Sequence, residues 1–436
     1  MVFSFLYGFA ARWHGWFPNR ALEQASKQIT AFTSTFSPKS ALVHPRAYDR
    51  SGIRVERSRE MASGLILLTS SWTGPGGLRP ELRLLDRQGE VVHSWRIART
   101  ALFPDSAVGL RGASATRRNI HGSLLLPDGD ILVTLNYVGT VRLDACGRVK
   151  WTYARGTHHS IAQAHDGSFW VPASGQKPSR TSPAHPDGFP GLDSPIYQEW
   201  LHHVSPEGHL IEKINVLDVL YANDLERYLA KVSQPEAGRE GPTMKDILHV
   251  NDVEPLAPSM AEAFPEFEAG DLLVSIRNLH LVFVFDPRTR DVRWHVSAPL
   301  LQQHDPDFLP SGRVGMFDNN EDFTKRGTML GGNRILFFNP EADSMTVQFP
   351  TAQSGPLYTE SRGKWQQLPN GNMLITESNV GRVVEVAPSG RAVWEWVHPS
   401  DRQSTVPIVS KAAHHSLTRE AVSDWPCSSV DGHRAE

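Results

Sequence analysis

The chain has 436 residues, enough for one large domain or two to three ordinary ones. With 40% hydrophobic and 21% charged residues it is globular, and a net charge of −3 gives no reason to expect a nucleic-acid partner. No stretch reaches the ~20 apolar residues needed to cross a bilayer, and two cysteines, Cys146 and Cys427, are too few for a disulfide scaffold: they could pair in an exported chain and are otherwise read as isolated thiols.

Residues 1–60 read as a separate N-terminal arm. Residues 2–11 are apolar but short, nothing basic precedes them and Arg12 follows at once, so they make a poor signal peptide. They read either as the remnant of an anchor, as a helix lying on a membrane through residues 1–17, or as a helix packed on the body. Residues 19–32 have helical composition, and 33–40 and 43–59 look extended or loop-like.

From residue 62 short strands alternate with tight turns, and Gly (34), Pro (31) and Trp (12) are plentiful. The segment 122–153 holds four strand candidates joined by turns at Pro127-Asp128-Gly129 and Cys146-Gly147. Four short antiparallel strands in about 40–45 residues make one propeller blade. Its closing half recurs, each time ending in a tryptophan: Trp95, Trp151, Trp294 and Trp394. Packing between blades is the role expected of them.

Six units follow, at 62–105, 120–155, 159–216, 249–297, 303–350 and 362–398. The predicted fold is an all-β six-bladed propeller over 61–400, with the N-terminal arm before it and an irregular tail, 401–436, after it. Insertions are expected at 175–195, at 216–231, where apolar residues have helical spacing, and at 257–269. Long insertions on one face commonly build a lid or a specificity wall.

A second regularity runs through the units. His121, His159 and His304 each stand eight residues before a turn glycine, Gly129, Gly167 and Gly312; in the last unit Gly363 holds that place before Gly371. In the fourth unit the place falls to Asn251, with His249 two residues earlier. Residues that precede innermost strands line the mouth of a propeller's channel, so these side chains are expected to converge there. Neutral imidazole can attack, bind a metal or, once protonated, hold an anion. Arg277 ends an apolar strand and is that blade's best cation. Asp252 and Asp305 follow ring positions and would either join the histidines on a metal or tie down backbone. The chain lacks a G-x-x-x-x-G-K-[ST] loop, a G-x-S-x-G elbow and a C-x-x-C pair.

At these residues the sequence resembles the bacterial arylsulfotransferases that use no nucleotide sulfate donor. The resembling stretches are His158-His159-Ser160, 249–256 (HVNDVEPL), 273–278 (LVSIRN), Gln303-His304-Asp305 through 316–319 (MFDN), and 368–372 (LPNGN). The resemblance implies a six-bladed propeller and a ping-pong transfer of sulfuryl from a phenolic sulfate ester to another phenol through a sulfated histidine, with no cofactor and no catalytic metal. It implies His304 as nucleophile and His249, Asn251 and Arg277 as sulfate-binding groups. His159 becomes the remaining site histidine and a candidate acid or base, with His158 its rival for that place and His121 beside them. It also implies an extracytoplasmic location. Gly363 leaves one blade without a ring side chain. Two readings of other kinds stay open: a non-catalytic propeller that binds a protein or glycan, and a metal-dependent hydrolase using the same histidines.

Overall fold

Strands of five or six residues joined by two-residue turns cannot bury both faces alone; stacking one small sheet on the next, in a closed ring, solves this and leaves only short edges exposed. A computed structural model describes residues 42–55, 57–74, 77–103, 120–232, 245–322, 324, 326–399 and 404–427. Most of the N-terminal arm, and with it the expected helices in 1–17 and 19–32, lies outside the described residues.

The described chain opens with β1 (Val43–Pro45) and β2 (Gly52–Val55). Blade 1 follows with β3 (Leu65–Gly74), β4 (Gly77–Leu85) and β5 (Val91–Arg96). Blade 2 holds β6 (Ile120–Leu125), β7 (Ile131–Leu135), β8 (Gly139–Leu143) and β9 (Val149–Tyr153). Blade 3 holds β10 (Ala162–Gln163), β11 (Phe169–Ser174), β12 (Glu199–Val204) and β13 (Leu210–Asn215). Blade 4 holds β14 (Val250–Pro255), β15 (Leu272–Ile276), β16 (Leu281–Phe285) and β17 (Val292–Val296). Blade 5 holds β18 (His304–Leu309), β19 (Arg313–Asp318), β20 (Arg334–Asn339) and β21 (Ser344–Phe349). Blade 6 holds β22 (Lys364–Gln367), β23 (Met373–Glu377), β24 (Arg382–Val386) and β25 (Ala392–Val397). The last strands are β26 (Thr405–Pro407) and β27 (Lys411–His415).

Each blade is an antiparallel sheet in consecutive order, and the exception is what closes the ring. The order of blade 1 is β27-β3-β4-β5, so its innermost strand comes from the end of the chain. The expected irregular tail is therefore corrected over its described residues, 404–427: β27 pairs with β3 from Lys411↔Thr69 to His415↔Leu65, and the propeller extends past residue 400. The first sequence unit lacks its inner strand because that strand lies more than 300 residues away. The N-terminal arm also joins the body, β1 pairing with β26 and β2 adding a fifth strand beside β25.

The apolar residues sort into six clusters, one at each seam between neighbouring blades. The repeated tryptophans sit at these seams. Trp151 Nε1 donates to the Pro206 carbonyl of blade 3 (2.9 Å) and Trp394 Nε1 to the Arg87 carbonyl of blade 1 (3.0 Å). Burial of these faces, at ~25 cal/mol per Å², is the main force holding the blades in a ring.

The cysteines are not isolated thiols. Cys146, in the β8–β9 turn, is disulfide-bonded to Cys427, with Cα atoms 4.9 Å apart. The bond clips the segment that carries the closing strand to blade 2. The insertion beginning at residue 216 is a short helix, α1 (Val216–Ala222), whose N-cap Asn215 accepts from the Leu217 amide (2.9 Å). No helix among the described residues is long and apolar enough to cross a membrane.

Candidate active site at the hub

Inner strands of neighbouring blades touch around the axis, β14 against β18, β18 against β22, β22 against β27 and β27 against β6. Their first residues therefore meet at one mouth. A narrow cavity there is lined by His121, His159, Asn251, His304, Gly363 and Ser410, one position from each blade, together with Arg362 and Lys364.

Local backbone devices aim these side chains inward. His121 and Asn251 each fall at a register shift at the start of an inner strand, and a third shift runs from His304 to Asp307. Bulged residues leave the ladder, which re-aims them. His159, His249, Asp305 and Arg362 adopt left-handed backbone, with φ of 56°, 57°, 52° and 66°. Non-glycine residues take that region rarely, and surrounding structure must hold them there. Gly363 (φ 95°) has no alternative: a Cβ there would lie 2.3 Å from the Phe317 ring. The ring position of blade 6 is thus bare by necessity, and Arg362, one residue earlier, reaches the cavity in its place.

His304 is oriented from behind. Its Nδ1 lies 2.6 Å from Asn319 Oδ1 and 3.0 Å from the Gln302 carbonyl. The Asn319 amide nitrogen donates to the carbonyls of Arg362 (2.8 Å) and Thr359 (3.2 Å), so its oxygen is the end that faces the imidazole. Both groups facing Nδ1 are then acceptors. Nδ1 carries the hydrogen, and Nε2 is left with its lone pair. Burial, then the Arg277 guanidinium, hold the His304 pKa well below the usual imidazole value, so the ring is neutral near pH 7.

Two carboxylate-backed arms flank it. His249 Nδ1 sits 2.8 Å from Asp246 Oδ2, and Asp246 also accepts from the Tyr137 hydroxyl (3.3 Å). His159 Nδ1 lies 2.7 Å from His158 Nδ1, and His158 Nε2 lies 2.7 Å from a Glu199 carboxylate oxygen, close but poorly aligned for a hydrogen bond. One of the two facing Nδ1 atoms carries the hydrogen, so one ring donates to the other. The rings of His121 and His159 are 4.0 Å apart between centroids, and those of His159 and His249 4.8 Å. Burial first, then neighbouring charges, depress both His121 and His159 well below the ordinary value.

Asn251 Nδ2 donates to the Gln303 carbonyl (2.8 Å), while its buried Oδ1 has no protein partner. Arg277 follows β15; its amide donates to the His249 carbonyl (3.1 Å), and its side chain to Asn278 Oδ1 (3.2 Å). Burial lowers its pKa against the opposing pull of Glu321 and Asp246. It stands near enough to His304 to depress that imidazole but does not line the small cavity, and His158 stands behind His159. Asp252 and Asp305 turn away from the histidines and hold a lysine instead. Lys364 Nζ bridges them, at 2.8 Å to Asp252 and in close contact with Asp305. Asp305 also accepts from the Trp365 amide at 2.8 Å. No group of three or more His, Cys, Asp or Glu side chains with metal-holding geometry occurs among the described residues.

Four residues of the site escape the sequence pattern: Asp246, Asn319, Arg362 and Ser410. Arg362 adjoins a ring glycine and carries a findable signal, a charge beside an otherwise empty ring place. Ser410 belongs to the strand supplied from the chain end. Asp246 and Asn319 lie off the eight-residue offset: Asp246 stands three residues before His249, and Asn319 ends the resembling stretch 316–319, but the histidine contact of each is seen only in three dimensions.

A six-bladed propeller whose hub gathers imidazoles, an orienting amide and guanidinium groups defines a class of pit suited to a small anion. Residues 122–399 match the model of the family described as Arylsulfotransferase (ASST). The chain belongs to the arylsulfotransferase family, which places it among sulfotransferases acting on small aryl molecules. The match spans every discussed site residue except His121, which falls one position before it, and Ser410. No curated protein matches the chain. Among solved structures it is similar to a protein of unknown function from Bacteroides caccae (TM-score 0.48, 13% identity, covering 79% of this chain and 99% of that one). It is also similar to a streptogramin B lyase (TM-score 0.41, 10% identity, covering 86% and 97%). These likenesses are too distant to bear on the chemistry.

Proposed function

We propose that the protein transfers a sulfuryl group from a phenolic sulfate ester to a phenolic acceptor by a ping-pong route through His304, without a cofactor. The observation that carries this reading is the fixed tautomer of His304. Its Nδ1 is committed to Asn319 and Gln302, and a neutral Nε2 faces the pit.

In the first half-reaction Nε2 attacks sulfur, the N–S bond forms, the S–O(aryl) bond breaks and the phenolate leaves. In the second, an acceptor phenol loses its proton, its oxygen attacks sulfur, the N–S bond breaks and His304 returns to the neutral state. Splitting the transfer replaces one meeting of two phenols by two easier steps. By analogy with phosphoryl transfer, a loose transition state spreads charge over the non-bridging oxygens, where Arg277 and the Asn251 N–H not given to Gln303 stabilise it. His249, backed by Asp246, is the imidazole best placed to hold the proton exchanged with the phenol oxygens, and such transfer is worth ~10²–10⁴-fold. His159, held by His158 and Glu199, and His121 complete the wall on the aryl side.

The Cys146–Cys427 bond and the family support an oxidising, extracytoplasmic compartment. Contact of residues 1–17 with a membrane surface remains part of this proposal. Against the metal-hydrolase reading stands the commitment of Asp252 and Asp305 to Lys364. The test is a rapid-mix assay with 4-nitrophenyl sulfate. One equivalent of nitrophenol released in a burst, followed by turnover only when a second phenol is present, is the expected result. Steady hydrolysis without a burst, or no release from any aryl sulfate, would defeat the proposal.

A further inference from the structure

Arg362 is the least explained charge at the hub. Its guanidinium has one protein hydrogen bond, a long one of 3.5 Å to Ser410 Oγ. No carboxylate pairs with it among the described residues. Lys364, two residues on, is bridged by two carboxylates, and Arg277 faces Glu321 and Asp246. Arg362 is half-buried, and partial loss of water brings its pKa down to about 10, so it stays charged near pH 7. Its backbone is left-handed, a further cost that the fold sustains at this point. Its carbonyl accepts from the Asn319 amide that orients His304, so main chain and side chain serve the same pit.

A cation drawn partly out of water, with no carboxylate beside it, gains more than most from an anion that joins it. We infer that Arg362 is a second anion-binding arm of the pit: it reaches across the bare Gly363 position and holds a non-bridging oxygen of the sulfuryl group, on the side of the cavity it shares with Ser410. This rests on the sulfuryl-transfer reading but concerns binding alone, so it can be tested apart from catalysis. The Ser410 hydroxyl accepts from the guanidinium and is left to donate its own hydrogen to the same anion.

The experiment uses the full chain and two probes that cannot transfer sulfuryl from an aryl oxygen, benzenesulfonate and inorganic sulfate. Binding is read by calorimetry and by anion-dependent melting. Wild type and His304→Ala should both bind benzenesulfonate. Arg362→Gln should bind it about 10- to 100-fold more weakly, as expected for a lost hydrogen-bonded charge pair, and Arg362→Lys should recover part of the loss. In buffer free of sulfate and phosphate, Arg362→Met should melt at or above the wild-type temperature, because it removes a half-buried charge that no carboxylate compensates. Equal affinity in Arg362→Gln, no binding of either probe to wild type, or a lower melting temperature for Arg362→Met would each overturn the inference. Failure of sulfuryl transfer with these binding results intact would instead count against the reaction and leave Arg362 as an anion ligand.

Discussion

Two layers of the same inner strands sit one to two residues apart and have opposite electrostatic character. At the mouth stand His304, Asn251 and Arg362; one step deeper stand Asp305, Asp252 and Lys364. In the deeper layer charge is compensated: the lysine ammonium, against the cost of burial, is held above its usual pKa by Asp252 and Asp305. At the mouth His304 is kept neutral by burial and Arg277, Asn251 keeps an unpartnered oxygen, and among the described residues no carboxylate pairs with Arg362. Compensated buried charge rigidifies; groups left wanting a partner are where a ligand gains most from binding. The fold thus places a structural plug directly beneath a chemical site.

This contrast can be broken from either side. The largest effect belongs to the mouth: His304→Ala should cut transfer by about 10⁴-fold or more, as expected when a covalent nucleophile is removed, with little change in melting. Lys364→Met should do the reverse. It leaves two carboxylates facing each other in the interior and should destabilise by about 3–5 kcal/mol, read by denaturant unfolding. A Lys364→Met protein as stable as wild type, but inactive, would move the lysine from the plug to the site. Smaller still, replacing Cys146 and Cys427 by serine should lower stability by about 2–4 kcal/mol, since the bond closes a separation of 281 residues. Equal unfolding curves with and without reductant would show that the clip contributes nothing.

The gentlest probe is pH. His121, His159 and His304 have folded pKa values depressed below the unfolded value of about 6.5. As pH falls below that value the unfolded chain takes up protons that the folded hub refuses, so stability should decline from about pH 6.5 downward and be fully present above it. His121→Asn should flatten the decline. An ordinary imidazole at position 304 would give activity an acid limb near pH 6.5. Burial and Arg277 push that limb lower, so the nucleophile itself should contribute no loss of rate between about pH 6 and 8.

Much of the hub is legible in the linear chain because a propeller turns sequence period into angular position. One offset from the turn glycine finds His121, His159 and His304, and the matching offset to a leucine, Leu256, finds Asn251, without any knowledge of their partners. The offset fails where symmetry breaks. Blade 1 takes β27 from the chain end, so Ser410 lies outside every counted unit, and the terminal segment looks featureless because its five-residue strand pairs with Leu65–Thr69. The disulfide is hidden for the same reason, since Cys427 reaches Cys146 only once the ring is closed. Arg362 is hidden by the rule that finds the others: the offset points to Gly363, whose bare position is set by the Phe317 ring. Asn319 and Asp246 carry no periodic mark, since neither is at a ring position: Asn319 acts through His304 on the neighbouring strand and Asp246 through His249 three residues later.

If His304 Nε2 carries the sulfuryl group between the two half-reactions, the charged enzyme must exist as a distinct covalent species. Intact-mass spectrometry after brief exposure to an aryl sulfate, with no acceptor present, looks for it most directly. The predicted result is one added sulfuryl mass on the wild-type chain, mapped to His304, absent in His304→Ala and discharged by a phenol. An adduct on another side chain, or phenol release from wild type with no adduct at any time, would contradict it.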